Sequence, residues 1–272
     1  EFPSQMEAEE LDKHPACGPE GDKPVKAAFD APFYIAFNNL DLSMVNDSRL
    51  PSLTGIPIGW GCIYELAYDA YEDPKYAWLL RQIEEAHPAR EREFPALPMS
   101  VQGGMFKAFE LDILRLRRTT WPEGSFQWSD ECSVSLTGRH TRGCSLLPTT
   151  GVAVLRNHPE RSDGANLHMH WGPHVAGHQS PSALHIDLHA GGSRLTDAPC
   201  SGGYDDPAYL SWVRTTIAHN TVTVDQRPMY PYHKCGDSIW EAERWHGRPS
   251  GGVLIGFQPG EEFSAVRAAN DN

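Results

Sequence analysis

Residues 172–224 read GPHVAGHQSPSALHIDLHAGGSRLTDAPCSGGYDDPAYLSWVRTTIAHNTVTV, and this stretch decides how the chain is understood. Two strand-like runs, 183–189 and 219–224, bracket a loop rich in Gly, Tyr and Asp. His178 stands just before the first run and His219 opens the second. In Ala183-Leu184-His185-Ile186-Asp187-Leu188-His189 a period of two sets Leu184, Ile186 and Leu188 on one face and His185, Asp187 and His189 on the other. Antiparallel sheets commonly pack one face and solvate the other, so His185 and His189 are expected on the polar face. His168 and His170 also share a face; imidazoles two apart on a strand can chelate, but no third ligand is spaced to join them. His174 and His178 lie in Gly-containing loop text, where a side chain meets solvent or ligand more often than core.

Outward from this stretch, short runs at 144–156, 167–171, 238–244 and 253–257 are separated by Gly, Pro and Asp clusters. That spacing predicts an antiparallel β-sandwich or stacked sheets. Upstream the period changes. Ile63, Leu66, Ala67, Ala70 and Tyr71 repeat at helical steps, and Asp73-Pro74 starts a second helix whose stripe of Tyr76, Ala77, Leu79, Leu80 and Ile83 runs to about Ala86. Two such helices joined by a short turn form a helical hairpin. Residues 1–30 read as loop, 33–60 as aromatic text broken by prolines, and 105–114 as a short helix. Prolines and charges interrupt the pattern after His87, and the domains are expected at 1–93 and 94–272.

The chain has 272 residues, 23 basic and 36 acidic, for a formal charge of -13. A general nucleic-acid or anionic-membrane binder needs a basic surface, which this balance argues against. No run approaches the ~20 apolar residues of a membrane helix, and the opening EFPSQMEAEELDK is too acidic for a signal peptide. Because it opens with Glu1, the chain is expected to be a fragment of a longer protein. Six cysteines without a CxxC pair make zinc-ribbon chemistry a poor fit.

One set of residues has a recognisable order: Gly172-Pro173-His174, His178, Leu184, Gly192, Asp197 near Pro199, Tyr204, Arg214 and Ala218-His219-Asn220-Thr221-Val222. Together they resemble the β-domain of the heparinase II/III-like polysaccharide lyases. Asn46-Asp47-Ser48, Tyr64-Glu65-Leu66-Ala67-Tyr68 and Asp73 through Leu80 are similar to the last segments of the helical domain in that superfamily. The resemblance implies a mainly β fold, an antiparallel β-sandwich domain preceded by the closing hairpin or hairpins of an (α/α) toroid. It also implies β-elimination on an acidic, uronic-acid polysaccharide by His and Tyr acid-base chemistry, in a full-length parent that is periplasmic or secreted. By motif position His178 is the candidate catalytic histidine and Tyr204 or Tyr209 the candidate tyrosine, while His174 and Arg214 are candidates for binding substrate. Several members carry a zinc ion at positions that here are Ser180, Asp197 and His219, so the resemblance implies a partial zinc site with Asp197 and His219 as its ligands. The toroid residues that complete the active site in the family lie upstream, and the isolated chain is expected to carry half of it.

A different class of function competes with this one. A serine where a zinc-binding histidine is expected, a short helical part and eight tryptophans able to stack on sugar rings suit a non-catalytic carbohydrate-binding or structural module. A zinc hydrolase is the weaker alternative, since no HExxH-type spacing supplies ligands and base together.

Overall fold

Between residues 139 and 194 the described strands form an antiparallel meander. Its strands are β1 (Arg139–Thr141), β2 (Cys144–Leu147), β3 (Val152–Arg156), β4 (Asn166–His170), β5 (His185–Ala190) and β6 (Ser193–Arg194), all antiparallel, and their order in the sheet is their order in the chain. Between β5 and β6 the reversal takes only Gly191 and Gly192, at φ 61 and 73. A two-residue hairpin loop of this hand needs positive φ at both positions, which glycine adopts without strain. A second sheet pairs β7 (Val253–Gln258) with β8 (Ala265–Ala269). The computed structural model from which these elements are taken describes residues 24–44, 52–54, 60–86, 121–128, 139–172, 180–199, 206–226, 229 and 251–270.

The strand pairings assign every side chain in the larger sheet to a face. On one face lie Leu146, Ala153 and Met169, and Leu146, Ala153 and Trp171 form a core against which Leu254, Phe257, Val266 and Ala268 of the second sheet pack. Two sheets closing over an apolar interior make an antiparallel β-sandwich. The opposite face carries Ser145, Val154, His168 and Asp187 in one row, and Arg156, Asn166, His189 and Arg194 in another.

This second face is polar yet closed. Asp187 and His189 are each 1% exposed and His185 is fully buried, whereas Leu188 on the other face is 37% exposed. The alternation expected for 183–189 is present, but the expectation of a solvated polar face is corrected. Residues 33–44 cover it. Phe37 stacks on His189 with ring centroids 5.4 Å apart, and the Asn38 amide donates to the carbonyls of His158 and Arg161, both at 2.9 Å. The buried Arg156 guanidinium donates to the carbonyls of Tyr34 and Ala36, to the Gly143 carbonyl and to Ser145 Oγ, and it lies over the Trp128 ring. Residues read as aromatic, proline-broken text thus cover the sheet. Side-chain donors satisfy their backbone where no ladder does.

By packing, the chain divides into two units, Glu1–Pro32 with Ser52–Phe126, and Phe33–Pro51 with Gln127–Asn272. The first holds most of α1 (Pro24–Ile35) together with α2 (Trp60–Tyr71) and α3 (Pro74–Ala86). The helical hairpin α2–α3 is as expected, whereas α1 begins in text read as loop. Asp73 caps α3, its Oδ1 accepting the Lys75 N–H at 3.0 Å. Phe29, Tyr64 and Tyr76 pack edge to face in its core, and burial raises both phenol pKa values above their ordinary range.

Two further expectations differ. The run 219–224 is not a strand: a 3-10 turn, Thr216–Ala218, leads into irregular chain. The expected strand at 238–244 and the helix at 105–114 lie outside the described residues.

Candidate functional site

A turn closed by the His185 N–H on the Ser182 carbonyl, with Leu184 at φ 64, delays the start of β5 until His185. From there His185 and Asp187 project from the covered polar face beside residues 219–221. Thr221 Oγ1 donates to the Ala183 carbonyl at 2.6 Å, and the Ile186 N–H donates to the Asn220 carbonyl at 3.2 Å. The Asn220 N–H donates to His185 Nδ1 at 3.1 Å. That nitrogen must carry a lone pair, so the ring proton sits on Nε2 and is donated to Asp187 Oδ1 at 2.9 Å. Ser43 Oγ donates to the other oxygen, Asp187 Oδ2. Burial alone would raise the Asp187 pKa, but the His185 and Ser43 hydrogen bonds and the nearby imidazoles outweigh it and hold the carboxyl below its ordinary value.

His219 meets His185 edge to face, ring centroids 5.6 Å apart. Its Nδ1–H donates to the Thr215 carbonyl at 2.8 Å, and burial pushes the imidazole pKa down to about 4. At neutral pH its Nε2 is therefore an unprotonated, buried lone pair that accepts no hydrogen bond from the described residues. Asp197 pairs instead with Arg194, 3.4 Å away, and burial raises its pKa. Arg194 also donates to the Leu42 carbonyl at 2.8 Å.

A π-turn, Tyr209–Val213, precedes His219. Its wide i to i+5 hydrogen bond, Arg214 N–H to Tyr209 O at 2.9 Å, brings residues 209 and 214 to one side. The Arg214 guanidinium accordingly lies over the Tyr209 ring, 5.7 Å from its centre. Tyr209 and Arg214 are 1% and 3% exposed, while Trp212 between them is 51% exposed. Of the residues singled out in sequence, Tyr209 and Arg214 come together, His219 packs against His185, Asp197 lies beyond β6, and His174, His178 and Tyr204 lie outside the described residues.

The three-ligand zinc arrangement is not completed here. His219 Nε2 is a competent donor, but Asp197 is engaged by Arg194, and the third position holds Ser180, whose hydroxyl is a poor zinc ligand. No three His, Cys, Asp or Glu side chains converge on a metal position among the described residues. The Ser43, Asp187 and His185 network was not anticipated from the sequence. Its only local signal is the His185-Ile186-Asp187 spacing, and Ser43 is remote in the chain.

Residues 139–269 match the family described as heparinase II/III-like, C-terminal. Over this span, a little under half of the chain, it is similar to the C-terminal domain of that family. A solved structure described as the heparinase III BT4657 gene product aligns with TM-score 0.51 at 12% identity, over 88% of this chain and 26% of that one. Another, a heparinase III, aligns with TM-score 0.51 at 13% identity, over 91% and 30%. The likeness of this chain to these proteins is one of fold, and the chain spans about a quarter to a third of their length. No curated protein sequence matches the chain. No helix among the described residues is long and apolar enough to cross a membrane.

Proposed function

We propose that this chain is the C-terminal part of a lyase that cleaves an acidic, uronic-acid polysaccharide by β-elimination. The observation that carries the reading is the heparinase II/III-like match over 139–269, set on a sandwich whose fold is that of the heparinase III structures. The proton beside a uronate carboxylate is weakly acidic, so the reaction needs three things: neutralisation of the carboxylate, a positioned base, and an acid for the departing glycosidic oxygen. His178 and a tyrosine of the following loop, Tyr204 or Tyr209, take the acid and base roles, with His174 and Arg214 on the substrate side. The partly polar His219 and Asp197 region supports this wall of the cleft without a metal step. An upstream (α/α) toroid in a longer, exported parent supplies the other wall.

The test is to incubate the full-length gene product, and separately this chain, with heparan sulfate, alginate and other uronans, following the ultraviolet absorbance of the conjugated unsaturated product. The expected result is signal from the full-length protein on at least one uronan, loss of that signal in His178→Ala, and next to none from the chain alone. Silence of the full-length protein on every uronan would remove the lyase reading. Exposed Trp212 favours one second reading, a sugar-binding module without catalysis. Saccharide binding by this chain that survives His178→Ala and Tyr204→Phe but is lost in Trp212→Ala would support it.

A further inference from the structure

We infer that Asp187, with Ser43 behind it, is a positioning residue that sets the His219–Asn220 segment by holding His185 in one tautomer. The inference rests on the lyase reading for its catalytic consequence, because that segment carries the family's most distinctive residues in this chain.

The geometry is a chain of single hydrogen bonds. Ser43 Oγ donates to Asp187 Oδ2, Asp187 Oδ1 accepts from His185 Nε2, and His185 Nδ1 accepts from the Asn220 N–H. All three side chains are shut away from water, Ser43 at 6%, Asp187 at 1% and His185 at 0% exposed. Residues 219–221 are not a strand; the Asn220 carbonyl accepts from the Ile186 N–H, but the Asn220 N–H donates to a ring nitrogen where a strand would offer a carbonyl. An imidazole can serve only while that nitrogen is bare. A proton on Nδ1 would face the Asn220 N–H donor to donor and push the segment away.

Asp187 decides the matter because a carboxylate accepts only, and it captures the ring proton at Nε2. Ser43 fills the second oxygen and so keeps the carboxylate from rotating out of line with the ring. The consequence passes on to His219, whose ring packs edge-on against His185 and whose Nδ1–H is already held by Thr215, leaving Nε2 aimed by its neighbours alone.

The experiment has two arms. In this chain, labelled with 15N at histidine, long-range proton–nitrogen correlation reads the tautomer of His185, and hydrogen exchange reads the Asn220 amide. Wild type should show Nε2–H. Asp187→Ala should show mixed tautomers and roughly tenfold faster exchange at Asn220, the effect of one lost hydrogen bond, with the amides of β3 little changed. Asp187→Asn, whose amide oxygen still accepts from Nε2–H, should restore most of both signals. In the full-length protein Asp187→Ala should lower kcat by about 10–100-fold, the scale of a small misplacement, with KM nearly constant, and Asp187→Asn should recover most of it. Should Asp187→Ala not fold, Ser43→Ala and His185→Phe carry the test, the second by removing the acceptor while keeping a ring. The inference is overturned if Asn220 protection and the His185 tautomer survive these changes, or if protection falls uniformly across the sheet, which is mere destabilisation. An inactive wild-type parent would remove the lyase reading and leave the tautomer arm to decide the positioning.

Discussion

Arg156 offers the sharpest test of how the sandwich holds residues 33–44. Its guanidinium is buried and donates to four oxygens, those of Gly143 at 2.8 Å, Ser145 at 2.9 Å, Tyr34 at 2.8 Å and Ala36. Burial lowers its pKa to about 9, so it remains a cation at neutral pH, held by neutral acceptors and by the Trp128 ring 5.4 Å away. Arg156→Met keeps the length of the side chain and removes every donor. Hydrogen bonds to a charged group contribute about 1.5–3 kcal/mol each, and two of the four reach residues 33–44. Removing the charge recovers part of its desolvation cost, so a net loss of about 3 kcal/mol is expected. If the segment opens locally, that loss corresponds to about 100-fold faster exchange of the Phe37 and Leu40 amides, which bond to the Asp41 and Phe37 carbonyls. Arg156→Lys should fall between, since one ammonium cannot span both pairs of acceptors. Hydrogen exchange with mass spectrometry on the full chain measures this. A cost under about 0.5 kcal/mol with unchanged protection at 33–44 would refute the account.

Three further outcomes are expected. His168 is 3% exposed and burial pushes its pKa down to about 3, so between that value and the ordinary ~6.5 the unfolded chain binds more protons than the folded one. Stability should therefore be full above ~6.5 and fall as the pH drops, by about 2 kcal/mol from this residue at pH 5; melting at pH 7 and pH 5 checks it, and an equal slope in His168→Gln would count against it. Gly151 has φ +73 and an added Cβ would sit 2.1 Å from the Gly172 Cα, whereas at Gly191, φ +61, a Cβ meets nothing. Gly151→Ala should cost over about 2 kcal/mol and Gly191→Ala about 1 kcal/mol, and equal melting temperatures for the two variants would contradict the predicted clash. Asp73→Ala removes the cap of α3 and the contact with Lys26 at 2.7 Å, which should cost about 1–2 kcal/mol in thermal melts followed by far-ultraviolet circular dichroism.

Much of the architecture could be read from local pattern. The helical steps from Ile63 to Ile83 foretold the α2–α3 hairpin, and the alternation in 183–189 foretold which residues of β5 share a face. Both depend on neighbours within one turn or one pleat, and that is the range over which backbone periodicity acts. The likeness to the heparinase II/III-like family was legible too, through the motif residues between Gly172 and Val222.

Which face of β5 is buried could not be read in this way, because the answer lies in residues 33–44, more than a hundred positions away. Alternation fixes two faces and is silent on what covers each; Phe37 and Ser43 settle that by closing over His189 and Asp187, on a segment that Arg156 of the sheet holds at Tyr34 and Ala36. The role of His185 was hidden for the same reason. A histidine in a sequence has two equivalent choices of proton, and only the Asn220 N–H on one side and Asp187 on the other, brought there by the tertiary fold, make the choice.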